Sequence, residues 1–453
     1  MSTGTHSRYF RIGTINLNLQ GRGKILIVYS TQRQSRIDTS GFSNCTTDKA
    51  LRRKLHEICM IFFKFYTNLK DESDFSIKRG LQRKSIEFAL FVDDITKGSW
   101  KDGYHFPKDL CDAESLNETK MDAVFKNSIM PLFSKQLAYC RVYKGGSTFW
   151  RRLLSYLQRN IKLSPFRIKP QDEKSKYRVS CAKHSLNWTY NILTETRSFM
   201  FTRNPYSRIL SAYIDKLYSP NPYFWKTLGV IIMKTVGKKP SCGSAVTFRD
   251  LVEYIIQTPI EKLDDHFIPI HSICRPCQVN YHYIGKMENF LNDTVNIFAK
   301  FQINSSPYIT QNFSDEYKYD AIYDTVQAFI AFRHESKKCM NPYTGLQRIW
   351  RKLQYRGIIS ENKSIPLNKK ESQDIFLSKL LTIISTTHQI SKKDNLSVQR
   401  RKLFIQAYNT IPLTLMYKLQ NVYHNDFKLF GYDPFPKSLF GNRSNIMTDV
   451  FLA

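Results

Sequence analysis

Twice along this chain a short apolar run breaks into a loop of anion-binding groups and then into helical periodicity. The first instance is an apolar run at 137–143, then Lys144-Gly145-Gly146-Ser147-Thr148, then Phe149, Trp150, Leu153, Leu154 and Leu157 on one face. The second is Phe199-Met200-Phe201, then Arg203-Asn204-Pro205, then Leu210, Tyr213 and Leu217. Residues 281–285 read as a third strand. Apolar residues three and four apart mark a helix face, whereas short continuous apolar runs mark buried strands. Strands alternating with helices predict an α/β fold, a mostly parallel sheet flanked by helices on both faces. Ligands of such sheets gather at the carboxyl ends of the strands, where both loops fall.

Each loop has the make-up of an anion site. A strand that feeds a glycine turn and then a helix gathers free backbone N–H groups at the positive end of the helix dipole. In the first loop Gly145 and Gly146 allow close backbone approach, Ser147 and Thr148 add hydroxyls, and Lys144 adds a mobile positive charge. The order is not that of a Walker A loop, where Gly-Lys-Ser/Thr closes the motif, and this counts against a nucleotide kinase. Taken alone, the segment fits a tight strand–helix turn with an N-cap hydroxyl equally well. In the second loop Asn204 suits an N-cap and Pro205 the first helical position. Arg203, at the strand end, offers a fork of donors for a phosphate, and Ser211 can turn its hydroxyl to the same anion. One nucleotide carrying phosphates at both ends would account for two anion loops on one sheet. Arg151 and Arg152 read as helix-face charges turned toward an acidic acceptor.

The 453 residues are 42% hydrophobic and 14% aromatic, enough for a substantial core, which excludes a disordered chain. The net charge of +30 implies a polyanionic partner: nucleic acid, an anionic membrane surface or an acidic polysaccharide. Nine scattered cysteines include one close pair, Cys274 and Cys277. No second CxxC completes a four-ligand zinc site, so the pair is either a local disulfide or two unrelated thiols. Sequons at Asn44, Asn117, Asn187, Asn292, Asn304, Asn312, Asn362, Asn395 and Asn442 favour a secretory route. No signal peptide or transmembrane helix is visible, since the best apolar runs, 58–63 and 228–233, fall far short of the roughly 20 residues a span needs. Leu51, Leu55, Ile58, Phe62 and Phe65 recur at helical spacing beside Arg52, Arg53 and Lys54, a basic amphipathic helix read as packed rather than membrane-bound.

With both loops in view, the chain resembles the Golgi carbohydrate sulfotransferases of the chondroitin and dermatan 4-O-sulfotransferase type. That family's first loop runs P-K-V-G/A-C-T-N-W-K-R, and residues 143–152 read YKGGSTFWRR. Its second runs V-R-D/N-P-F-x-R-L-x-S-A-Y, and residues 202–213 read TRNPYSRILSAY. A third block, H-W-x-P, C-x-P-C and Y-D-F-I/V-G-K-Y-E, is matched by His266-Phe267-Ile268-Pro269, Cys274-Arg275-Pro276-Cys277 and YHYIGKME at 281–288. Residues 426–432, DFKLFGY, match the family's D-F-x-L/I-F-G-Y. Tyr143, Ser147, Phe149 and His282 stand where the family has Pro, Cys, Asn and Asp.

The resemblance implies a P-loop-like sulfotransferase fold that depends on 3′-phosphoadenosine-5′-phosphosulfate (PAPS) as sulfuryl donor. It implies a glycan acceptor, acidic or neutral, and neither nucleic acid nor metal as a partner. By the same resemblance, residues 1–125 are a divergent stem-like region, 126–440 the sulfotransferase domain and 441–453 a tail, in the Golgi lumen or membrane. Lys144 would be catalytic, meeting the charge that develops on the donor's bridging oxygen, with Gly145, Gly146, Ser147 and Thr148 around the 5′-phosphate. Arg203 and Ser211 would hold the 3′-phosphate. The acceptor hydroxyl needs a general base, for which His266 is the first candidate and Glu288 and Asp265 are weaker ones. A structural histidine capping a loop is the competing expectation for His266. Cys274 and Cys277 would form a disulfide. The main rival class is a non-catalytic binder of polyanions or glycans, a degenerate sulfotransferase included, which the net charge supports.

Overall fold

The two strand–loop–helix units meet as neighbouring parallel strands. The computed structural model describes residues 118–167, 179–441 and 451. The chain divides into two units, Met1–Lys101 and Asp102–Ala453, and every described residue belongs to the second. The amphipathic helix expected over 51–65 lies outside the described residues. Four strands form one sheet in chain order: β1 (Ile129–Leu132), β2 (Leu137–Cys140), β3 (Arg197–Thr202) and β4 (Tyr283–Lys286). β2, β3 and β4 run parallel, with Cys140 opposite Met200 and Thr202 opposite Lys286. β1 is an antiparallel edge, and its Pro131 suits an edge position because proline donates nothing to a ladder. The sheet is therefore mixed rather than wholly parallel, and β1 is too short and proline-interrupted to stand out in the sequence.

Both faces of the sheet are buried, which explains why its strands read as unbroken apolar runs. Leu137, Tyr139, Phe199 and Phe201 point to one side, where Phe149, Trp150, Leu153 and Leu154 of the helix after the first loop pack. That helix is α2 (Ser147–Arg159), and α1 (Glu118–Ser128) precedes β1. Ala138, Cys140 and Met200 point to the other side, against Met121 and Phe125 of α1 and Tyr206, Ile209 and Tyr213 of α3 (Pro205–Tyr213). The helical face expected from Phe149, Trp150, Leu153, Leu154 and Leu157 is buried throughout, as are Leu210, Tyr213 and Leu217. After Tyr213 the helix widens into a π-type turn, Ile214–Tyr218, which carries Asp215 and Lys216.

The remaining helices close around the loops. The described helices used below are α4 (Ile270–Cys274), α5 (Phe290–Lys300), α6 (Phe313–Ser336), α7 (Pro342–Tyr355) and α8 (His424–Phe430). Residues of α6 and α7, among them Ile322, Phe329, Ile349 and Trp350, share a separate apolar cluster. Asp426 of α8 accepts from the backbone N–H groups of Ile270 (2.7 Å) and His271 (2.8 Å), so the DFKLFGY block caps the helix that follows the His266 segment. Among the described residues, no helix is long and apolar enough to cross a membrane.

The cysteine expectation needs correction. Cys274 bonds to Cys140, 134 residues away, and not to Cys277, which is itself disulfide-bonded. Cys274 ends α4 and Cys140 ends β2, so this bridge ties the root of the first anion loop to the segment after His266. A second bridge joins Cys242 to Cys339. A CxxC spacing carries no record of such a long-range partner, because chain topology and not sequence separation decides which sulfurs meet.

Candidate functional site

The first loop is a strained turn that opens the N-terminus of α2. Gly145 N–H donates to the Val142 carbonyl at 3.1 Å, closing the turn. Lys144 (φ 64°) and Gly146 (φ 77°) both adopt the left-handed region, which is costly for the lysine and free for the glycine. A Cβ on Gly146 would also lie 2.6 Å from Cε2 of Phe290. Gly146, not a hydroxyl residue, is the N-cap of α2, and no side chain caps it. The turn expected to end in an N-cap hydroxyl thus leaves the first turn of α2, at Ser147 and Thr148, without a side-chain cap.

Lys144 does not stand alone. Its Nζ lies 3.1 Å from Oδ2 of Asp215, and Lys352 of α7 reaches Oδ1 of the same carboxylate at 2.8 Å. Lys216 adds a third contact at 3.5 Å. Burial opposes the charge on Asp215, but Lys144, Lys352 and Lys216 together hold its carboxyl well below the usual range. Burial brings Lys144 down to about 8, and Lys216, Arg356 and Lys352 push the same way against the pull of Asp215.

The second loop is relaxed and locally satisfied. Asn204 caps α3 by accepting from Ser207 N–H at 3.2 Å, and Pro205 occupies the first turn, as the sequence predicts. Arg203 donates from Nη1 to the Lys144 carbonyl at 3.1 Å, one of five N–H donors on its guanidinium. Burial lowers its pKa. Ser211 lies two turns into α3 and is partly buried. Glu288 accepts from Asn204 N–H and from Tyr432 hydroxyl, both at 3.0 Å, so it braces this loop.

His266 arrives beside the first loop. Tyr143 stacks on its ring with centroids 4.4 Å apart, and Phe224 meets it edge-on at 5.4 Å. The residue is 7% exposed, and its Nδ1 sits 2.7 Å from Oδ1 of Asp264. Burial works against the charge on Asp264, but its bond to His266 keeps the carboxyl below its ordinary range. An ionised carboxylate only accepts, so the proton belongs on Nδ1 and the lone pair on Nε2. Burial keeps the imidazole below its ordinary pKa, and Lys216 and Lys144 lower it further while Asp264 partly opposes them.

Two loops, a lysine, an arginine and a histidine therefore converge at the carboxyl end of β2 and β3. Residues 133–349 match the family model described as Sulfotransferase family. This segment is similar to that family. The mixed sheet flanked by helices is accordingly an α/β sulfotransferase fold. The chain is 27% identical to carbohydrate sulfotransferase 9 of Homo sapiens over 194 residues, 41% of this chain and 43% of that protein. It is 30% identical to carbohydrate sulfotransferase 11 of Rattus norvegicus over 205 residues, 41% of this chain and 57% of that protein. Carbohydrate sulfotransferase 14 of Danio rerio is 27% identical over 172 residues, 36% of this chain and 45% of that protein. The chain spans about half the length of the curated relatives it matches. No solved structure is a significant match. The similarity reaches several carbohydrate sulfotransferases without singling out the chondroitin and dermatan 4-O type.

Around these two loops the structure adds residues that no short motif marks. Arg208, buried, donates to the carbonyls of Tyr143 (3.1 Å), Ile268 (2.7 Å) and Asp265 (3.2 Å), stapling the first loop to the His266 segment. Asp215 and Lys352 meet across 137 residues. Arg356 donates to Tyr317 hydroxyl at 3.0 Å, and its charge, followed by those of Arg203 and Lys144, brings that phenol down to about 8. Arg152 requires correction. It is 2% exposed and bonds Asp320 of α6 at 2.7 Å, so it ties α2 to α6 rather than facing an acceptor. His282, in place of the family's aspartate, bonds Ser198 of β3 at 3.1 Å and braces the sheet away from both loops.

Proposed function

We propose that this chain transfers a sulfuryl group from PAPS to a hydroxyl of a glycan. The observation that carries this reading is the Arg203–Lys144 hydrogen bond at 3.1 Å, which makes the two anion loops one continuous surface. Two phosphates of one nucleotide could then be held by groups that already touch. The uncapped N-terminus of α2, with Gly145, Gly146, Ser147 and Thr148, suits the 5′ side of such a donor, and Arg203 with Ser211 suits the 3′-phosphate.

In this reading the acceptor oxygen attacks sulfur as the bond from sulfur to the bridging oxygen breaks. The hydroxyl proton passes to Nε2 of His266, whose Nδ1–H is held by Asp264. The leaving phosphate keeps the bridging electron pair, and the ammonium of Lys144 meets the charge. Glu288 is less suited as a base, because it is engaged at the second loop. The acceptor class, acidic or neutral and including the 4-hydroxyl of chondroitin-like chains, follows from the resemblance and from relatives named as carbohydrate sulfotransferases. The divisions at 125 and 440 also belong to this proposal.

A Golgi lumen is the compartment that fits. Disulfides Cys140–Cys274 and Cys242–Cys339 form and persist in oxidising surroundings. Every sequon asparagine among the described residues, Asn187, Asn292, Asn304, Asn312, Asn362 and Asn395, is exposed and thus open to glycosylation. Purified protein incubated with labelled PAPS and a panel of chondroitin, dermatan and simple glycans tests the function. Transfer to one of them supports it. No transfer, together with no binding to immobilised 3′,5′-diphosphoadenosine, overturns it; steeply salt-dependent binding without preference for a 3′-phosphate would point to a plain polyanion binder.

A further inference from the structure

We propose that Asp215 is a positioning residue for Lys144: it holds the ammonium beside the glycine turn until a donor phosphate takes it, while Lys352 stays behind to neutralise the carboxylate. The inference rests on the function proposed above and concerns a residue outside both anion loops.

The geometry divides the three lysines on this carboxylate into a fixed partner and a mobile one. Lys352 makes the shorter contact, 2.8 Å to Oδ1, and its side chain is 9% exposed. Lys144 makes the longer one, 3.1 Å to Oδ2, and is 21% exposed. Lys216 is the most distant at 3.5 Å and is also drawn toward the Phe224 ring, 4.8 Å away. A half-buried carboxylate left by its only cation would be costly, and would also repel the anionic donor. With Lys352 fixed to the other oxygen, Lys144 can leave Asp215 without exposing an unpaired charge. The π-type turn at Ile214–Tyr218 sets Asp215 directly after α3, the helix that follows Arg203, so the latch and the second loop share one continuous helical element.

The charges around Lys144 make this latch necessary. Lys216 lies on the same turn as Asp215, Lys352 and Arg356 approach from α7 and its end, Arg203 bonds the Lys144 carbonyl, and Tyr317 and His266 complete the surroundings. Asp215 is the carboxylate that raises the lysine pKa against burial and these cations. The active lysine is the protonated one, so its contribution is present below its pKa of about 8 and is lost as pH rises through it. Removing Asp215 moves that loss to lower pH. Removing Lys352 moves it to higher pH, because a repelling cation is gone and the carboxylate has one fewer partner.

Calorimetric titration of the full chain with 3′,5′-diphosphoadenosine from pH 6.5 to 9.5 reads this directly. Wild-type affinity should break downward near pH 8, and Lys144→Ala should show no break, which assigns it. Asp215→Asn should lower the break by at least about one unit, weakening binding roughly three- to tenfold at pH 8. At pH 6.5 the same variant should bind at least as tightly as wild type, since the phosphate no longer competes with a carboxylate. Lys352→Gln should move the break upward, and Asp215→Glu should restore it. A uniform loss at every pH with the break unmoved, in whichever of Asp215→Asn and Lys352→Gln folds, overturns the inference. Absence of wild-type binding instead overturns the function on which it rests.

Discussion

The two anion loops follow adjacent parallel strands and open onto the same surface, yet they are built in opposite ways. The first places Lys144 and Gly146 at positive φ, lacks a side-chain cap, and shares its lysine with a carboxylate from another element. The second has a capping asparagine, a proline in the first turn, and a brace from Glu288. A relaxed, self-capped loop holds one geometry and suits binding that is the same before and during reaction. A strained loop with a shared, partly exposed lysine suits charge that appears only as a bond breaks. The contrast supports the proposal that the first loop carries the chemistry and the second holds the ground state.

The largest expected break in that contrast is Lys144→Ala. It should lower sulfuryl transfer roughly 100- to 1000-fold, as removal of a group aimed at developing charge does, with a much smaller change in affinity for 3′,5′-diphosphoadenosine at neutral pH. Initial rates with labelled PAPS against calorimetric affinity separate the two. An equal loss in both would make the first loop a simple binding element like the second.

A smaller effect concerns pH. The base must be neutral and the lysine charged, so transfer should fall on the acid side through a His266 pKa below the ordinary 6.5 and on the alkaline side near 8. Each limb should approach a tenfold loss per pH unit in kcat/KM. His266→Gln should lower the rate and remove the acid limb while leaving the alkaline one. An acid limb that survives in this variant would transfer the base to Asp265 or Glu288.

The smallest effect sharpens the second loop. Asn204→Ala removes the cap on α3 and should cost about 1 kcal/mol of stability in urea denaturation, with transfer little changed under conditions where the protein stays folded. A large kinetic effect instead would mean that the second loop also acts during bond breaking.

What could be read beforehand follows the same division. Asn204, Pro205 and the apolar faces of the two helices were legible because their partners lie three or four residues away, within reach of periodicity and capping rules. The loops themselves were legible as strand–glycine–helix and strand–arginine–helix patterns. The Asp215–Lys352 pair, the Arg208 staple and the Cys140–Cys274 bridge were not, since each joins positions 57 to 137 residues apart through the parallel crossover connections. Arg152 misled for the same reason: in the helix alone it is one of two adjacent basic residues, and only packing of α6 supplies Asp320. His266 lay between. Its motif block marked it, but the stack on Tyr143 depends on how Arg208 holds that segment against the first loop.

The central claim is that the two loops grip one nucleotide from both ends, and it is tested most directly by the value of the 3′-phosphate. Affinities for 3′,5′-diphosphoadenosine and for adenosine 5′-monophosphate should be measured on wild type and Arg203→Ala at constant salt. The account predicts that wild type prefers the bisphosphate by at least about tenfold and that Arg203→Ala loses that preference, as removal of a charge-assisted phosphate contact would. Equal affinity of wild type for both nucleotides, or a preference that survives in Arg203→Ala, would contradict it.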